Sequence, residues 1–293
     1  MTNTIPQYNK TRLAPTPSGF LHLGNVLSFC ITAALAHRHG TKILLRIDDL
    51  DRTRVDKQYV QDIFDTLNFL EIPWDEGPQN IEDFEDKFSQ LHRMDLYREA
   101  LKQLADEKLV FACECSRLQI NSKDCSCECL AKQMPLNTEN ASWRLVTDET
   151  ALRIRDYNGQ PIRATIPADM QNFVVKRKDG LPAYQLTSVI DDLFYGVDLV
   201  VRGEDLWPST LAQHQLATVL GKTDFNNVTF YHHPLLIESS GKKLSKSAGS
   251  TSVKYLRENR KNAQDAFTLI ASMLGVNQIV NSWQQLAGIA MGS

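Results

Sequence analysis

The segment from residue 11 to residue 25 constrains the fold of this 293-residue chain more than any other stretch. It begins with a short apolar run, meets Pro15 and Pro17, and continues into the apolar, helix-length run 26–37. Because proline has no N–H to donate to a neighbouring strand, a strand must end at Pro15. A strand that leads directly into a helix is typical of α/β folds, and the first turn of such a helix presents free N–H groups that suit a phosphate.

The turn in this segment has residues that suit a ligand. Gly19 and Gly24 allow the backbone to approach a bound molecule closely. His22 lies at the mouth of the predicted helix, where its ring can donate a hydrogen bond to a phosphate oxygen. The alternative is a proline-rich turn with a histidine buried in the core, and the segment alone leaves both readings open.

A second segment, residues 239–250, carries three lysines among serines and glycines. A flexible backbone with positive charge fits a mobile clamp on a polyphosphate. The alternative is a solvated linker, which is a common use of such a composition.

Charged residues follow two predicted buried strands. Residues 42–47 lead into the acidic run that begins at Asp48, and residues 197–201 lead into Arg202 and two acidic residues. Ligands of doubly wound parallel sheets bind at the carboxyl ends of the strands. We therefore predict a doubly wound, Rossmann-type α/β sheet and assign Asp48 a substrate role, with a helix N-cap as the alternative for the acidic cluster.

Five of the six cysteines lie between Cys113 and Cys129. Clustered thiols in a chain without a secretion-type N-terminus favour metal ligands over disulfides. Structural zinc takes four such ligands, and the five candidates exceed that number. The predicted ligands are Cys113, Cys115, Cys125 and Cys129, with Cys127 as the alternative ligand. A redox role is the competing interpretation.

The composition sets limits on the partners. The chain is 42% hydrophobic and 23% charged, with a net charge of −3. It has no apolar run of the ~20 residues that a membrane span needs and no signal-peptide pattern, so we expect a cytoplasmic protein without a membrane partner. Nucleic-acid binding would need a local basic patch, for which residues 176–178 and 257–261 are candidates.

Together the motifs resemble those of a known enzyme family. His22-Leu23-Gly24-Asn25 is similar to the "HIGH" signature and Lys243-Leu244-Ser245-Lys246-Ser247 to the "KMSKS" signature of class I aminoacyl-tRNA synthetases. With the segments 12–19, 45–51, 182–184 and 202–205, the chain resembles the glutamyl-tRNA synthetase family over nearly its whole length. It departs from the family pattern at Asn25, where a second histidine is usual, and at Asp48, where glutamate is usual.

The resemblance implies an ATP-dependent ligase that activates glutamate, with Mg²⁺ bridging the ATP phosphates and zinc in a structural role. The implied catalytic groups are His22, Lys243 and Lys246. The implied ATP-binding residues are Pro15, Ser18, Gly19, His22, Gly24, Asn25, Lys243, Ser245 and Lys246. The implied glutamate-binding residues are Arg12, Ala14, Ser18, Asp48, Tyr184 and Arg202.

The expected domain organisation follows the same resemblance. A Rossmann catalytic domain occupies residues 1–108 and 172–238, a zinc-binding, acceptor-type insert occupies 109–171, and the lysine loop with a small helical C-terminal domain occupies 239–293. No anticodon-binding domain is expected.

Within the family, the chain resembles short, cysteine-bearing members that activate glutamate without tRNA and transfer it to queuosine in the anticodon of tRNA(Asp). The expected partners are therefore ATP, L-glutamate and a queuosine-containing tRNA(Asp), and we expect a monomer. One alternative is a compact glutamyl-tRNA synthetase that charges a tRNA 3′ end. The other is a non-catalytic paralogue that binds tRNA or glutamate.

Overall fold

The computed structural model describes residues 6–116, 128–236 and 252–292. Its contacts divide the chain into two compact units. The first unit comprises Met1–His92, Val197–Asp205 and Phe230–Ser293, and the second comprises Arg93–Gly196 and Leu206–Thr229. The domain boundaries given by the sequence stay a prediction.

The strands are short, three to five residues each in the described ranges. They are β1 (Lys10–Leu13), β2 (Lys42–Leu45), β3 (Val110–Cys113), β4 (Ser142–Leu145), β5 (Leu152–Asp156), β6 (Ile162–Ala164), β7 (Val174–Lys176), β8 (Leu199–Gly203) and β9 (Thr229–His233).

The α-helices alternate with the strands in the first half of the chain and gather at the C-terminal end. They are α1 (Leu23–His39), α2 (Lys57–Phe69), α3 (Met94–Asp106), α4 (Cys129–Lys132), α5 (Tyr184–Phe194), α6 (Trp207–Val219), α7 (Val253–Glu258), α8 (Ala263–Met273) and α9 (Trp283–Met291). Shorter helical turns fill residues 81–93.

The first unit contains the predicted parallel strands. β1 pairs in parallel with β2, from Lys10 opposite Lys42 to Leu13 opposite Leu45, and in parallel with β8 on its other side. The order of its strands is β2-β1-β8-β9. Leu13, Leu45 and Val200 are buried, and α9 packs against α1. The expectation of an α/β fold with a mostly parallel sheet is confirmed.

Strand β9 lies earlier in the chain than the apolar residues that follow it would predict. Apolar residues at 235–237 predict a strand there, but the structure has β9 at Thr229–His233 instead. Pro234 follows β9 directly and ends it, and Ile237 lies outside the described residues. Because β9 ends in two histidines, it does not stand out as an apolar run in the sequence.

The second unit holds a separate antiparallel sheet in the order β3-β4-β7. The run 172–177 predicts a return to the main sheet, and this prediction is wrong, because β7 pairs with β4. In β7 only Val175 is fully buried, a one-sided pattern typical of antiparallel strands. β5 and β6 form an antiparallel pair in which Leu152 faces Ala164.

A buried charge ties helices of the second unit together. Arg93 donates through Nε to Oδ1 of Asp191 at 2.7 Å, and the Tyr97 hydroxyl donates to the same oxygen at 2.6 Å. Asp191 lies on α5 and is fully buried. A buried carboxylate needs such partners, so this cluster fixes α5 against α3. Within the described ranges, the chain has no helix both long and apolar enough to cross a membrane.

Candidate active site

His22 is the N-cap residue of α1. Its Nδ1 accepts a hydrogen bond from the Gly24 N–H at 3.0 Å, while Oδ1 of Asn25 accepts one from the His22 N–H at 3.1 Å. The two bonds form a reciprocal capping box. Because Nδ1 acts as an acceptor, the ring proton of the neutral imidazole lies on Nε2, which makes Nε2 a donor. Asn25, which departs from the family signature, therefore has a structural role here.

Gly24 is required by the His22 ring rather than by an unusual backbone angle. A Cβ built at residue 24 would lie 2.9 Å from His22 Cε1 and 3.0 Å from Nδ1. Any larger residue would push the imidazole out of its capping position. The sequence predicts that Gly24 lets a ligand approach the backbone closely. The structure shows in addition that glycine here leaves room for the His22 ring.

The carboxyl ends of β1 and β2 run side by side beyond the strands. The Arg46 N–H donates to Leu13 O at 2.8 Å, and the Asp48 N–H donates to Pro15 O at 3.0 Å. Asp48 is thereby held next to the loop that leads to His22. Ala14, Ser18 and Gly19 belong to that same loop.

Arg46 forms a buried ion pair with Asp48 that sequence reasoning missed. Its Nε donates to Asp48 Oδ1 at 2.8 Å and its Nη2 donates to Oδ2 at 3.1 Å. The two side chains are 2% and 9% exposed. A carboxylate has about four lone-pair sites, and the forked bond from Arg46 occupies two of those on Asp48. The apolar run around Arg46 concealed this pair, since the residue was counted only as part of a strand.

Asp49, next along the chain, has a structural role. Its fully buried carboxylate accepts from the Ser89 hydroxyl at 2.7 Å, from the Gln90 N–H at 2.8 Å and from Arg52 at 2.8 Å. These bonds secure the loop that carries Asp48. The N-cap of α2 is Asp56, whose side chain accepts from the Gln58 N–H at 2.9 Å.

Two predicted glutamate ligands are buried in neighbouring strands of the sheet. Arg12, on β1, donates to Val201 O at 3.3 Å. Arg202, on β8, has its guanidinium carbon 4.8 Å from the centre of the Phe230 ring. Burial, with the charge of Arg202 as the second cause, lowers the pKa of His232 to about 3. His232 is therefore neutral at pH 7, and the positive charge here belongs to the arginines.

Directly beyond the lysine-bearing segment 239–250, here called the lysine loop, the chain contacts the backbone of Leu21 and His22. Ser252 forms an antiparallel bridge with His22, and the Val253 N–H donates to Leu21 O at 2.9 Å. Lys243, Ser245 and Lys246 lie outside the described residues. Ser252, the first described residue beyond them, pairs with the backbone of His22.

Tyr184, the remaining predicted glutamate ligand, lies in the second unit as the first residue of α5, with 43% of its surface exposed. From the sequence, Tyr184 could also be a core tyrosine at a strand edge, and this alternative is wrong because the residue is helical and exposed. Arg12, Asp48, Arg202 and His22 all lie in the first unit.

Three cysteines of the predicted zinc site lie together. The sulfurs of Cys113, Cys115 and Cys129 are all within 4.8 Å of one another, and those of Cys115 and Cys129 are 3.5 Å apart. Tetrahedral zinc with Zn–S bonds of about 2.3 Å separates its sulfurs by about 3.8 Å. The three thiols therefore fit such an ion, while Cys125 and Cys127 lie outside the described residues.

The basic patches that the sequence offered for nucleic acid make contacts within the chain. Lys176 lies 4.1 Å from the centre of the Trp143 ring, and Lys178 donates to Glu114 O at 2.6 Å. Arg257 contacts Asp62 and Asp65.

Comparisons with known proteins agree with the geometry. Residues 9–279 match the family described as tRNA synthetases class I (E and Q), catalytic domain. The chain is 31% identical over 278 residues to a glutamate–tRNA ligase 2 of Syntrophus aciditrophicus (strain SB), covering 88% of this chain and 55% of that protein. It is 32% identical over 282 residues to a glutamyl-Q tRNA(Asp) synthetase of Nocardia farcinica (strain IFM 10152), covering 90% of this chain and 84% of that protein.

A solved structure shows the same fold. The crystal structure of glutamate-tRNA synthetase from Elizabethkingia anophelis superposes with a TM-score of 0.73 at 20% identity, covering 96% of this chain and 65% of that one. The parallel sheet is thus that of a class I synthetase catalytic domain. The chain belongs to the family of class I tRNA synthetases for E and Q, which confirms the resemblance given by the motifs. It spans about half the length of the curated glutamate–tRNA ligases that it matches.

Proposed function

We propose that this protein is an ATP-dependent ligase that activates glutamate as glutamyl-adenylate without tRNA and transfers the glutamyl group to queuosine in the anticodon of tRNA(Asp). The observation that carries the activation step is the placement of His22, which caps α1 through its ring and pairs through its backbone with Ser252. The segment that leads to it accepts, at Pro15 O, the hydrogen bond from the Asp48 N–H. A relative named glutamate–tRNA ligase and one named glutamyl-Q tRNA(Asp) synthetase match at nearly equal identity. The second of these relatives supports the choice of acceptor.

In the first step, a carboxylate oxygen of glutamate attacks the α-phosphorus of ATP, and the bond from that phosphorus to the bridging oxygen breaks to release pyrophosphate. Negative charge grows on the phosphate oxygens in the transition state. His22 Nε2–H and the ammonium of Lys246 are the proposed donors to this charge, and Lys243 would neutralise the leaving pyrophosphate. Mg²⁺, when bound with ATP, would supply further positive charge to the phosphates.

Glutamate would be recognised by charge on each of its ionised groups. Asp48 accepts from the ammonium, and the guanidinium groups of Arg12 and Arg202 bind carboxylate. Tyr184 supplies a hydroxyl. In the second step, a hydroxyl of the acceptor nucleoside attacks the acyl carbon, and the acyl–phosphate bond breaks to release AMP.

The acceptor is tested by comparing tRNAs. We expect glutamate-dependent ATP–pyrophosphate exchange without tRNA, and glutamylation of queuosine-containing tRNA(Asp) but not of tRNA(Asp) that lacks queuosine. A tRNA(Asp) without its 3′-terminal adenosine should still be labelled. Exchange that requires tRNA would instead indicate a compact glutamyl-tRNA synthetase, and no exchange under any condition would indicate the non-catalytic paralogue.

The cysteine cluster is proposed to bind one structural zinc ion, with Cys113, Cys115 and Cys129 joined by Cys125 or Cys127. The zinc would stabilise a region with little apolar core, and structural zinc contributes about 10 kcal/mol or more. We expect Cys113→Ser to lose the metal, measured by elemental analysis, and to lower Tm. Cys30→Ala is the control, since burial raises the pKa of that thiol within α1 and the variant should keep its zinc. Wild-type protein free of zinc would contradict the assignment.

A further inference from the structure

The backbone of Leu21, directly before His22, is bonded on both sides. Its N–H donates to Oδ2 of Asp62 on α2 at 3.0 Å, and its carbonyl accepts from the Val253 N–H at 2.9 Å. Leu21 and Val253 are themselves buried. The residue that leads into the capped histidine is therefore held between α2 and the start of α7.

Asp62 connects these two helices through a single carboxylate. While Oδ2 accepts from Leu21, Oδ1 accepts from Nη2 of Arg257 on α7. The Asp62 side chain is 2% exposed and that of Arg257 is 21% exposed, so the pair is largely shielded from water. Burial raises the pKa of Asp62, and the bonds from Leu21 and Arg257 oppose this rise. Arg257 thus stabilises the charged carboxylate that holds Leu21.

Two further contacts fix α7 to the same segment. Lys254 Nζ lies 4.2 Å from the centre of the Phe20 ring, and Arg257 Nη1 reaches Asp65 Oδ2 at 3.1 Å. Asp65 is 40% exposed and lies one helical turn beyond Asp62 on α2. Arg257 contacts the carboxylates of Asp62 and Asp65. Of these two carboxylates, only that of Asp62 accepts a hydrogen bond from the Leu21 N–H.

We propose that the Asp62–Arg257 pair is a positioning device for adenylate formation. Only residues 251 and 252 separate the lysine segment 239–250 from α7, so whatever fixes α7 also fixes the end of that segment. The pair ties the start of α7, where the chain leaves the lysine segment, to the backbone of Leu21 directly before His22. This inference rests on the proposed function, because it concerns how the two phosphate-binding segments are aligned.

The test is the rate of glutamate-dependent ATP–pyrophosphate exchange in Arg257→Met and Asp62→Asn. Misplacing a catalytic group by about 1 Å can cost about 100-fold in rate. We expect kcat/KM for ATP to fall by roughly 10- to 100-fold, with KM for glutamate changed less than about twofold, because Asp48 and the arginines are untouched. Arg257→Lys should recover part of the loss. A variant that is only less stable would not lower kcat/KM for ATP while leaving KM for glutamate nearly unchanged.

Asp65→Asn is the matched control, because it removes the other carboxylate on Arg257 but leaves the bond to Leu21. It should keep kcat/KM for ATP within about twofold of wild type. Hydrogen exchange at the Leu21 and Val253 amides gives a readout independent of activity, and we expect faster exchange in Arg257→Met below its Tm. Equal losses in Asp65→Asn and Asp62→Asn, or unchanged amide exchange, would overturn the positioning role. Wild-type protein without pyrophosphate exchange would overturn the proposed function itself.

Discussion

His22→Asn should lower the rate of glutamate-dependent ATP–pyrophosphate exchange by about 10²- to 10³-fold while leaving Tm close to that of wild type. Asparagine is among the best N-cap residues, so it can accept from the Gly24 N–H as the imidazole does. It does not place a donor where Nε2 lies. The variant therefore separates the capping role of His22 from its proposed catalytic role, and initial exchange rates at saturating ATP measure the second.

Asn262→Ala is the control, because we expect it to lower stability without lowering the exchange rate. Asn262 caps α8 through a capping box with Asp265, and it lies outside the candidate site. Its loss should cost about 1 kcal/mol of stability, while exchange stays within about twofold of wild type. If His22→Asn retained more than about a tenth of the wild-type rate with Tm unchanged, a transition-state role for the imidazole would be untenable.

The local elements at the site could be predicted from the sequence because their signals are local. Proline ends a strand and glycine permits a close approach whatever surrounds them, so β1, the turn and α1 were all foreseen. The buried strands at 42–45 and 199–203, which lie on either side of β1, were visible as apolar runs. Asp48 was expected at the carboxyl edge for the same reason.

Features that depend on a distant partner could not be predicted in this way. β7 carries a strand pattern that fits either sheet, and only its pairing with β4 decides between them. Arg257 looks like a solvated cation in the sequence, yet it contacts Asp62, 195 positions away. The Arg46–Asp48 pair is close in sequence but depends on both side chains being buried.

Asp48→Asn should raise KM for glutamate by about 100-fold or more and leave KM for ATP nearly unchanged. Loss of one partner of a buried charged hydrogen bond costs about 2–5 kcal/mol in binding. The substitution should also lower Tm, because it leaves the guanidinium of Arg46 buried without its carboxylate. Steady-state exchange kinetics and thermal unfolding of the same protein preparation give both values.

The double variant Arg46→Met/Asp48→Asn separates the two consequences. Replacing both members of a buried ion pair is often nearly neutral for stability, whereas removing one member is costly. Tm should therefore recover towards the wild-type value, while KM for glutamate stays high because no carboxylate faces the ammonium. Recovery of glutamate binding together with stability would mean that Asp48 acts only through its pair with Arg46, and the assignment of the ammonium site to Asp48 would then be wrong.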